Sequence, residues 1–422
     1  MDEKFMLRAV ELARRGIGKV NPNPLVGAVI VKDGAIIAEG YHERYGELHA
    51  ERHALSRLER PEDARGAEMY VTLEPCCHQG KQPPCTQAII EHGISKVYVG
   101  SDDPNELVAG KGIQELRNAG IEVETQVMKE TCDALNPVFF YYITKKLPYV
   151  VMKYAMTLDG KIACDSGESR WVTGERARAH VHETRNALTG IMVGIGTVLA
   201  DDPSLTCRIP GGRNPVRIIV DSHLRIPPDS QIVQTAREIP TIVATMAGDG
   251  PPQENDSASR RQETESGEIP QKVSDREEKK RILEQMGVTV LAVPAEGSVN
   301  EHRSFTRQVC AASSTNIGGS AASDGRSMTA SVNLRTLMEI LGDRGIDSIL
   351  LEGGSTLNQS ALRAGIVQKL QVYLAPKIFG GSGVFTPVRG RGVDNPSEAF
   401  LFHNRRITDF GDDILLEYDM SE

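Results

Sequence analysis

Apolar and polar positions along the chain alternate with two periods, close to two in short runs and close to 3.6 in the segments between them. Leu25–Val31 and Ala35–Ala38 read as strands around Lys32-Asp33-Gly34, whose Asp-Gly pair favours a tight hairpin. His49–Leu58 reads as a helix, Met69–Leu73 as a strand and Thr86–His92 as a helix ended by Gly93. Lys96–Gly100 is a further strand, Ile113–Asn118 a helix stopped by Gly120, and Ile121–Val127 a strand. Strands separated by helices predict a layered α/β domain.

After Lys145-Lys146-Leu147-Pro148 the cycle restarts with the apolar run Tyr149–Ala155, which puts a boundary between 146 and 147. Gly190–Val193, Val216–Val220, Thr241–Thr245, Thr289–Ala292, Ser348–Leu351 and Lys369–Leu374 predict the strands of a second, larger α/β domain over 147–422. Two polar stretches, 247–276 and 299–331, interrupt it. The first holds only Ile269 and Val273 as large aliphatic residues, and the second is rich in Ser, Ala and Gly from Ala311. Neither buries enough apolar surface to offset chain entropy. They read as surface insertions flanking a helix–strand pair at Glu277–Val293.

Composition narrows the function classes. The 422 residues carry a formal charge of −9 and are 40% hydrophobic, as in ordinary globular proteins. An acidic balance argues against nucleic acid as partner. No apolar run approaches the ~18 residues of a membrane span. Met1–Val20 is charged, with Phe5, Met6, Ala9, Val10 and Ala13 at helical spacing, and lacks the apolar core of a signal peptide. A cytoplasmic location is expected. Of seven cysteines, Cys76, Cys77 and Cys85 lie close together, which in a reducing compartment points to metal rather than disulfides.

The sharpest chemistry is His49-Ala50-Glu51 followed by Glu74-Pro75-Cys76 and Cys85. One imidazole and two thiolates make a three-ligand zinc site with a fourth position for water. Zinc lowers the pKa of such a water from about 15.7 to roughly 7. Glu51 is then the carboxylate that moves protons, provided the triplet opens a helix so that both side chains aim at one point. Cys77 and His78 are further capable ligands, with Cys76 favoured because it follows Pro75. A purely structural zinc module and an RNA deaminase are the rival readings. The first needs Glu51 to be dispensable, the second a basic groove.

The second half carries Lys153–Ala163, Ser169-Arg170-Trp171, Val193–Pro203 and a strand running into Leu351-Glu352-Gly353-Gly354-Ser355-Thr356-Leu357. A strand–glycine–helix turn offers free amides to a phosphate. A dinucleotide fingerprint is absent, since Leu199 stands where Gly194-Ile195-Gly196 would need its third glycine.

Asn21-Pro22-Asn23-Pro24-Leu25-Val26-Gly27, His49-Ala50-Glu51 and Glu74-Pro75-Cys76…Pro83-Pro84-Cys85, together with the second-half segments, resemble the bifunctional riboflavin biosynthesis family. The resemblance implies a cytidine-deaminase-like three-layer domain followed by a dihydrofolate-reductase-like domain that uses NADPH. It puts His49, Cys76 and Cys85 on zinc, Glu51 on proton transfer, and Asn23, His42 and Lys81 on substrate. The Asp103–Gly112 loop would suit the substrate phosphate. Ala155, Trp171, Thr197, Asp201, Ser222 and Gly354, Ser355, Thr356 and Leu357 would face the cofactor. Lys153, Ser169, Arg185, Leu205, Arg208 and Glu352 would face the substrate, the arginines its phosphate. Cys77 replaces a usual Ser and Lys81-Gln82 a usual Arg-Thr; Lys keeps the charge without the bidentate fork. The implied activity is hydrolytic deamination of a diamino-ribosylamino-pyrimidinone phosphate, then reduction of its ribosyl group to ribityl. Expected partners are the small-molecule substrate and further copies of the chain, without nucleic acid or membrane.

Overall fold

The computed structural model describes residues 2–247, 275–296, 331–381, 383 and 385–421. The polar insertions expected at 247–276 and 299–331 therefore lie outside the described residues, apart from their flanks.

The first half runs α1 (Glu3–Ala13), β1 (Gly27–Lys32), β2 (Ala35–Tyr41), α2 (Ala50–Ser56), β3 (Glu68–Leu73), α3 (Cys85–Glu91), β4 (Lys96–Ser101), α4 (Lys111–Asn118) and β5 (Glu122–Glu124). Its sheet has the order β2-β1-β3-β4-β5, antiparallel at β2–β1–β3 and parallel from β3 to β5. The predicted hairpin turn is present: Asp33 and Gly34 both take positive φ, 51° and 76°, which only this dipeptide chemistry accepts readily. Phe5, Met6, Ala9 and Val10 of α1 bury one sheet face on Val29, Val31, Tyr70 and Tyr98. Ala50 and Ala54 of α2 and Ala88 and Ile89 of α3 cover the other, on Ala28, Ile30, Met69 and Val97. Three layers result. The strand expected over Ile121–Val127 contracts to Glu122–Glu124, because the continuous ladder with β4 ends there and only Val127 N returns to it, on the carbonyl of Val99.

Helices α5 (Lys129–Asp133) and α6 (Pro137–Lys145) lead into the second half. There follow β6 (Tyr149–Thr157), α7 (Glu175–Ala187), β7 (Gly190–Gly194), α8 (Ile195–Asp201), β8 (Val216–Val220), α9 (Gln231–Gln234) and β9 (Thr241–Met246). Then come α10 (Asp275–Gln285), β10 (Val288–Val293), α11 (Leu334–Asp343), β11 (Ser348–Leu351), α12 (Ser355–Arg363), β12 (Lys369–Ala375), β13 (Phe402–Phe410) and β14 (Asp413–Met420). The sheet order is β10-β9-β8-β7-β11-β6-β12-β14-β13. It is parallel from β10 to β12, so both faces need helical cover. Leu337, Met338 and Leu341 of α11 and Ala361 and Leu362 of α12 supply it on one face, against Met152, Met192, Ile349 and Leu351. Ile232, Val233 and Leu283 supply it on the other, against Ile191, Val193 and Ile219.

The β13–β14 hairpin was not legible in the sequence. Most of β13 is exposed, and its His403-Asn404-Arg405-Arg406 stretch shows no alternation, so pairing with β14 rather than a buried face defines it.

Gly27 opens β1 where α1 crosses it. A Cβ there would press on the carbonyl oxygen of Ala9 and stand 2.9 Å from the nitrogen of Ala13. Gly27→Ala is expected to cost about 1–3 kcal/mol through overpacking, read as an earlier first transition in thermal or urea unfolding.

Candidate active sites

The first site forms at two helix starts. His49 is the extended N-cap of α2, with Glu51 in its first turn, and Cys85 is the first residue of α3. The condition set by the sequence, a triplet that opens a helix, is met. Cys76 lies beyond β3, and its carbonyl oxygen accepts from the amides of Cys85 and Thr86 at 3.0 and 3.2 Å. Arg52 ties down the rest of the cysteine loop, donating to the carbonyls of Pro83 and Pro84 at 2.9 and 2.8 Å.

His49 Nδ1 stands 3.4 Å from Cys76 Sγ and 3.5 Å from Cys85 Sγ. All three ligand atoms fall within 4.8 Å of one another, and they are the one such His/Cys/Asp/Glu group among the described residues. The spacing and the N,S,S donor set fit zinc, whose bonds of about 2.0–2.3 Å place tetrahedral ligands at such separations. Cys77, the alternative ligand, instead points its Sγ at the carbonyl of Leu107.

Glu51 is 3% exposed, and burial, with Cys76 nearby, pushes its carboxyl up to about 7. A carboxyl that exchanges its proton near neutral pH suits general acid–base work. His42, also buried, sets the orientation of Asn23. Its Nδ1 faces the carbonyl of Leu48 at 2.9 Å and must donate, so its Nε2 accepts from Asn23 Nδ2 at 3.1 Å. Burial lowers the His42 pKa, which keeps the ring neutral. Lys81 lies 3.9 Å over the exposed Tyr45 ring.

The Asp103–Gly112 loop differs from expectation. An anion already sits at the start of α4. Glu74, 3% exposed, accepts from the amides of Gly110 at 3.0 Å and Ile113 at 3.2 Å. Lys111 Nζ donates to the carbonyl of Glu106 at 2.7 Å. The loop's amides thus anchor a protein carboxylate rather than waiting for a phosphate. The signal for this role was present in the sequence as an acid directly before Pro75-Cys76.

The second site gathers at the C-terminal ends of β7 and β11, the edge where open α/β sheets bind ligands. Glu352 follows β11 and takes Arg185 of α7 in a two-pronged pair, Nε at 2.6 Å and Nη2 at 2.9 Å, with Lys153 Nζ at 3.9 Å. Burial alone would raise the Glu352 carboxyl, but Arg185 and Lys153 outweigh it and hold it at about 2. Arg185 Nη1 donates to the carbonyl of Thr206 at 2.9 Å. Three of its five N–H groups are thereby engaged inside the protein, which leaves two for a ligand, while Arg208 is exposed.

Gly353 and Gly354 turn with φ of 115° and 82°, and no side chain caps α12 behind them. The open amides of Ser355, Thr356 and Leu357 at a helix start fit a pyrophosphate. Thr197 adjoins this turn, its Oγ1 3.6 Å from where a Cβ on Gly354 would stand. Asp201 closes α8, and its carbonyl accepts from Arg170 at 3.1 Å. Ala155 is half-buried on β6 beside Tyr373, and Ser169 is half-buried in the loop after it. Trp171 is 58% exposed with the Arg178 guanidinium 4.5 Å over its ring. Ser222 lies past β8, where its Oγ accepts from Val332 N at 3.3 Å. Leu205 is 4% exposed and packs into the core with Ile191 and Val198, so only its backbone is left to meet a ligand.

Two family models match the chain. The cytidine and deoxycytidylate deaminase zinc-binding region covers residues 1–101, and the RibD C-terminal domain covers 148–310 and 253–416. The chain is 47% identical to the riboflavin biosynthesis protein RibD of Actinobacillus pleuropneumoniae, over 99% of its own length and 95% of that protein. It is 35% identical to RibD of Escherichia coli K12, with 98% of each covered. The chain belongs to the RibD family.

Solved structures agree. A Thermotoga maritima diaminohydroxyphosphoribosylaminopyrimidine deaminase/5-amino-6-(5-phosphoribosylamino)uracil reductase superposes with TM-score 0.73 at 37% identity, covering 99% of this chain and 98% of that one. Acinetobacter baumannii RibD superposes with TM-score 0.76 at 30% identity, covering 100% and 99%. As a RibD-family member the chain is a bifunctional deaminase and reductase of riboflavin biosynthesis acting on small molecules. It has a zinc-site domain first and a RibD reductase domain second, the latter implying a nicotinamide cofactor. Among the described residues no helix is long and apolar enough to cross a membrane.

Two measurements check this chemistry in RibD terms. Cys85→Ser should lower bound zinc from about one equivalent to a small fraction, by elemental analysis of the purified protein. The Glu352 carboxyl is depressed from 4.5 to about 2 in the folded protein. The stability it contributes is thus present above pH 4.5 and lost as the pH falls from there towards 2. Urea midpoints followed over that window should fall less steeply in Glu352→Gln than in the unaltered protein.

Proposed function

We propose that residues 1–146 hydrolytically deaminate 2,5-diamino-6-ribosylamino-4(3H)-pyrimidinone 5′-phosphate and that residues 147–422 reduce the ribosyl group of the product to ribityl with NADPH. The observation that carries the reading is the buried Glu51 beside the His49, Cys76 and Cys85 trio. A structural zinc module has no use for a desolvated acid poised near neutral pH at its metal ligands.

When bound, zinc makes a water acidic enough to attack at neutral pH. Glu51 takes one proton from the attacking water and gives it to the ring nitrogen beside the attacked carbon. It then takes the second from the resulting hydroxyl and gives it to the amino group, whose C–N bond breaks to release ammonia. Asn23, its amide turned by His42, presents Oδ1 to a donor on the substrate, and Lys81 meets its phosphate end. In the second half NADPH, when bound, would supply the hydride that reduces C1′ as its bond to the ring oxygen breaks and that oxygen takes up a proton. The turn Gly354–Leu357, with Thr197, Ala155, Trp171, Asp201 and Ser222, holds that cofactor. Lys153, its charge balanced by Glu352, donates to the sugar, while Ser169, Arg185, Arg208, Glu352 and the Leu205 backbone hold the rest of the substrate. A cytoplasmic homo-oligomer fits the same reading.

The test follows ammonia release and NADPH absorbance separately on the diamino-pyrimidine ribosyl phosphate. Glu51→Gln is expected to lower ammonia release about 10²–10⁴-fold and to leave reduction of the already deaminated substrate intact. A zinc chelator should stop only the ammonia step. Deamination retained in Glu51→Gln would remove Glu51 from the mechanism.

A further inference from the structure

The loop between α1 and β1 faces two ways. Towards the metal ligands it presents Asn23, bonded to His42 at 3.1 Å. Towards the second half it presents Gly18 and Asn21. A Cβ on Gly18 would stand 2.6 Å from both Nδ2 and the carbonyl oxygen of Asn186, so the loop backbone lies directly on the end of α7. Asn21 Nδ2 donates to Asp347 Oδ2 at 3.0 Å, across 326 residues of sequence.

Asp347 is 2% exposed at the start of β11. Its Oδ1 takes the hydroxyls of Thr189 at 2.5 Å and Ser348 at 2.8 Å, and its own carbonyl accepts from Tyr149 N at 2.8 Å. The residues entering β7 and β11 thus fix this carboxylate, and the one entering β6 fixes its backbone. Asn21 is the donor that comes to it from the other half of the chain.

We propose that Asn21 and Asp347 are positioning residues for deamination: through them the reductase half holds the substrate loop of the deaminase half in its binding geometry. The inference rests on Asn23 being a substrate contact. Ordering a loop costs conformational entropy for each residue fixed. A brace places that cost in folding, whereas a loose loop would meet it on binding, where it weakens affinity. The metal ligands hang on α2, α3 and the segment after β3, which do not use the brace. Its loss therefore acts on KM and spares zinc content and kcat.

The partners can be exchanged. Asn21→Asp sets carboxylate against carboxylate, whereas in Asp347→Asn the Asn21 amide turns over and gives its oxygen to the new amide. The double variant N21D/D347N reverses donor and acceptor, while the new amide at 347 keeps an oxygen for Thr189 and Ser348. Asn21→Asp should raise KM for deamination about tenfold, with kcat and zinc content unchanged. Asn21→Asp should also leave reduction of the deaminated substrate unchanged. The double variant should return KM to within about threefold of the unaltered enzyme. Asn21→Asp with unaltered KM, or a double variant no better than Asn21→Asp, would overturn the proposal.

Hydrogen exchange gives a readout that needs no substrate. In Asn21→Ala the backbone amides of residues 17–20 and of Asn23 should exchange faster than in the unaltered protein, and unchanged protection would also overturn the brace. Should the unaltered protein fail to deaminate the pyrimidine, the functional reading falls, while the exchange result still judges the brace.

Discussion

Glu352 is a carboxylate withdrawn from water, and the reductase half is arranged around its compensation. A buried charge is tolerated only when hydrogen-bonding partners of opposite sign replace its hydration. Arg185 from α7 and Lys153 from β6 do so, and in meeting Glu352 they bring a helix, a central strand and the turn after β11 to one point. The same requirement recurs in the first half, where Glu74 gathers the amides of Gly110 and Ile113 and so joins the start of α4 to the segment bearing Cys76. It recurs once more at Asp347, between the halves. Each of these acids converts distant stretches of chain into a rigid corner, because leaving any one unmet would cost several kcal/mol.

The two sites use the ends of secondary structure in different ways. In the deaminase half the helices α2 and α3 begin at the metal ligands, so His49 and Cys85 are held by backbone geometry, and a short first turn brings Glu51 alongside. The positive end of a helix also favours a thiolate at its start. In the reductase half α12 begins behind two glycines whose positive φ opens its amides to an incoming anion. One element type thus supplies metal ligands in one half and uncapped backbone amides in the other, and the residue at the helix start decides which.

Contact between the halves has a chemical side. The Asn21–Asn23 loop is bonded to Asp347 at one end and to His42 of the deaminase half at the other. β11 itself runs from Asp347 at its entry to Glu352 at its exit. A single four-residue strand therefore has the brace at one end and the reductase ion cluster at the other.

Local sequence determined the element order, the Asp33-Gly34 hairpin turn, the metal-ligand set and the strand–glycine–helix turn at Gly353-Gly354. Those features depend on side-chain period, on φ preferences and on ligand chemistry, all of which a short stretch of chain carries with it. Periodicity could not reveal β13, whose exposed polar face is defined by its partner strand. Nor could it show that Glu74 occupies the amides of the Asp103–Gly112 loop, that Arg185 is taken up by Glu352, or that the Leu205 side chain turns into the core. Sequence names the donors and acceptors, but only the packed chain decides which of them meet, because that choice is made by burial, which forces each desolvated group onto whatever partner the fold has placed within 3 Å or so.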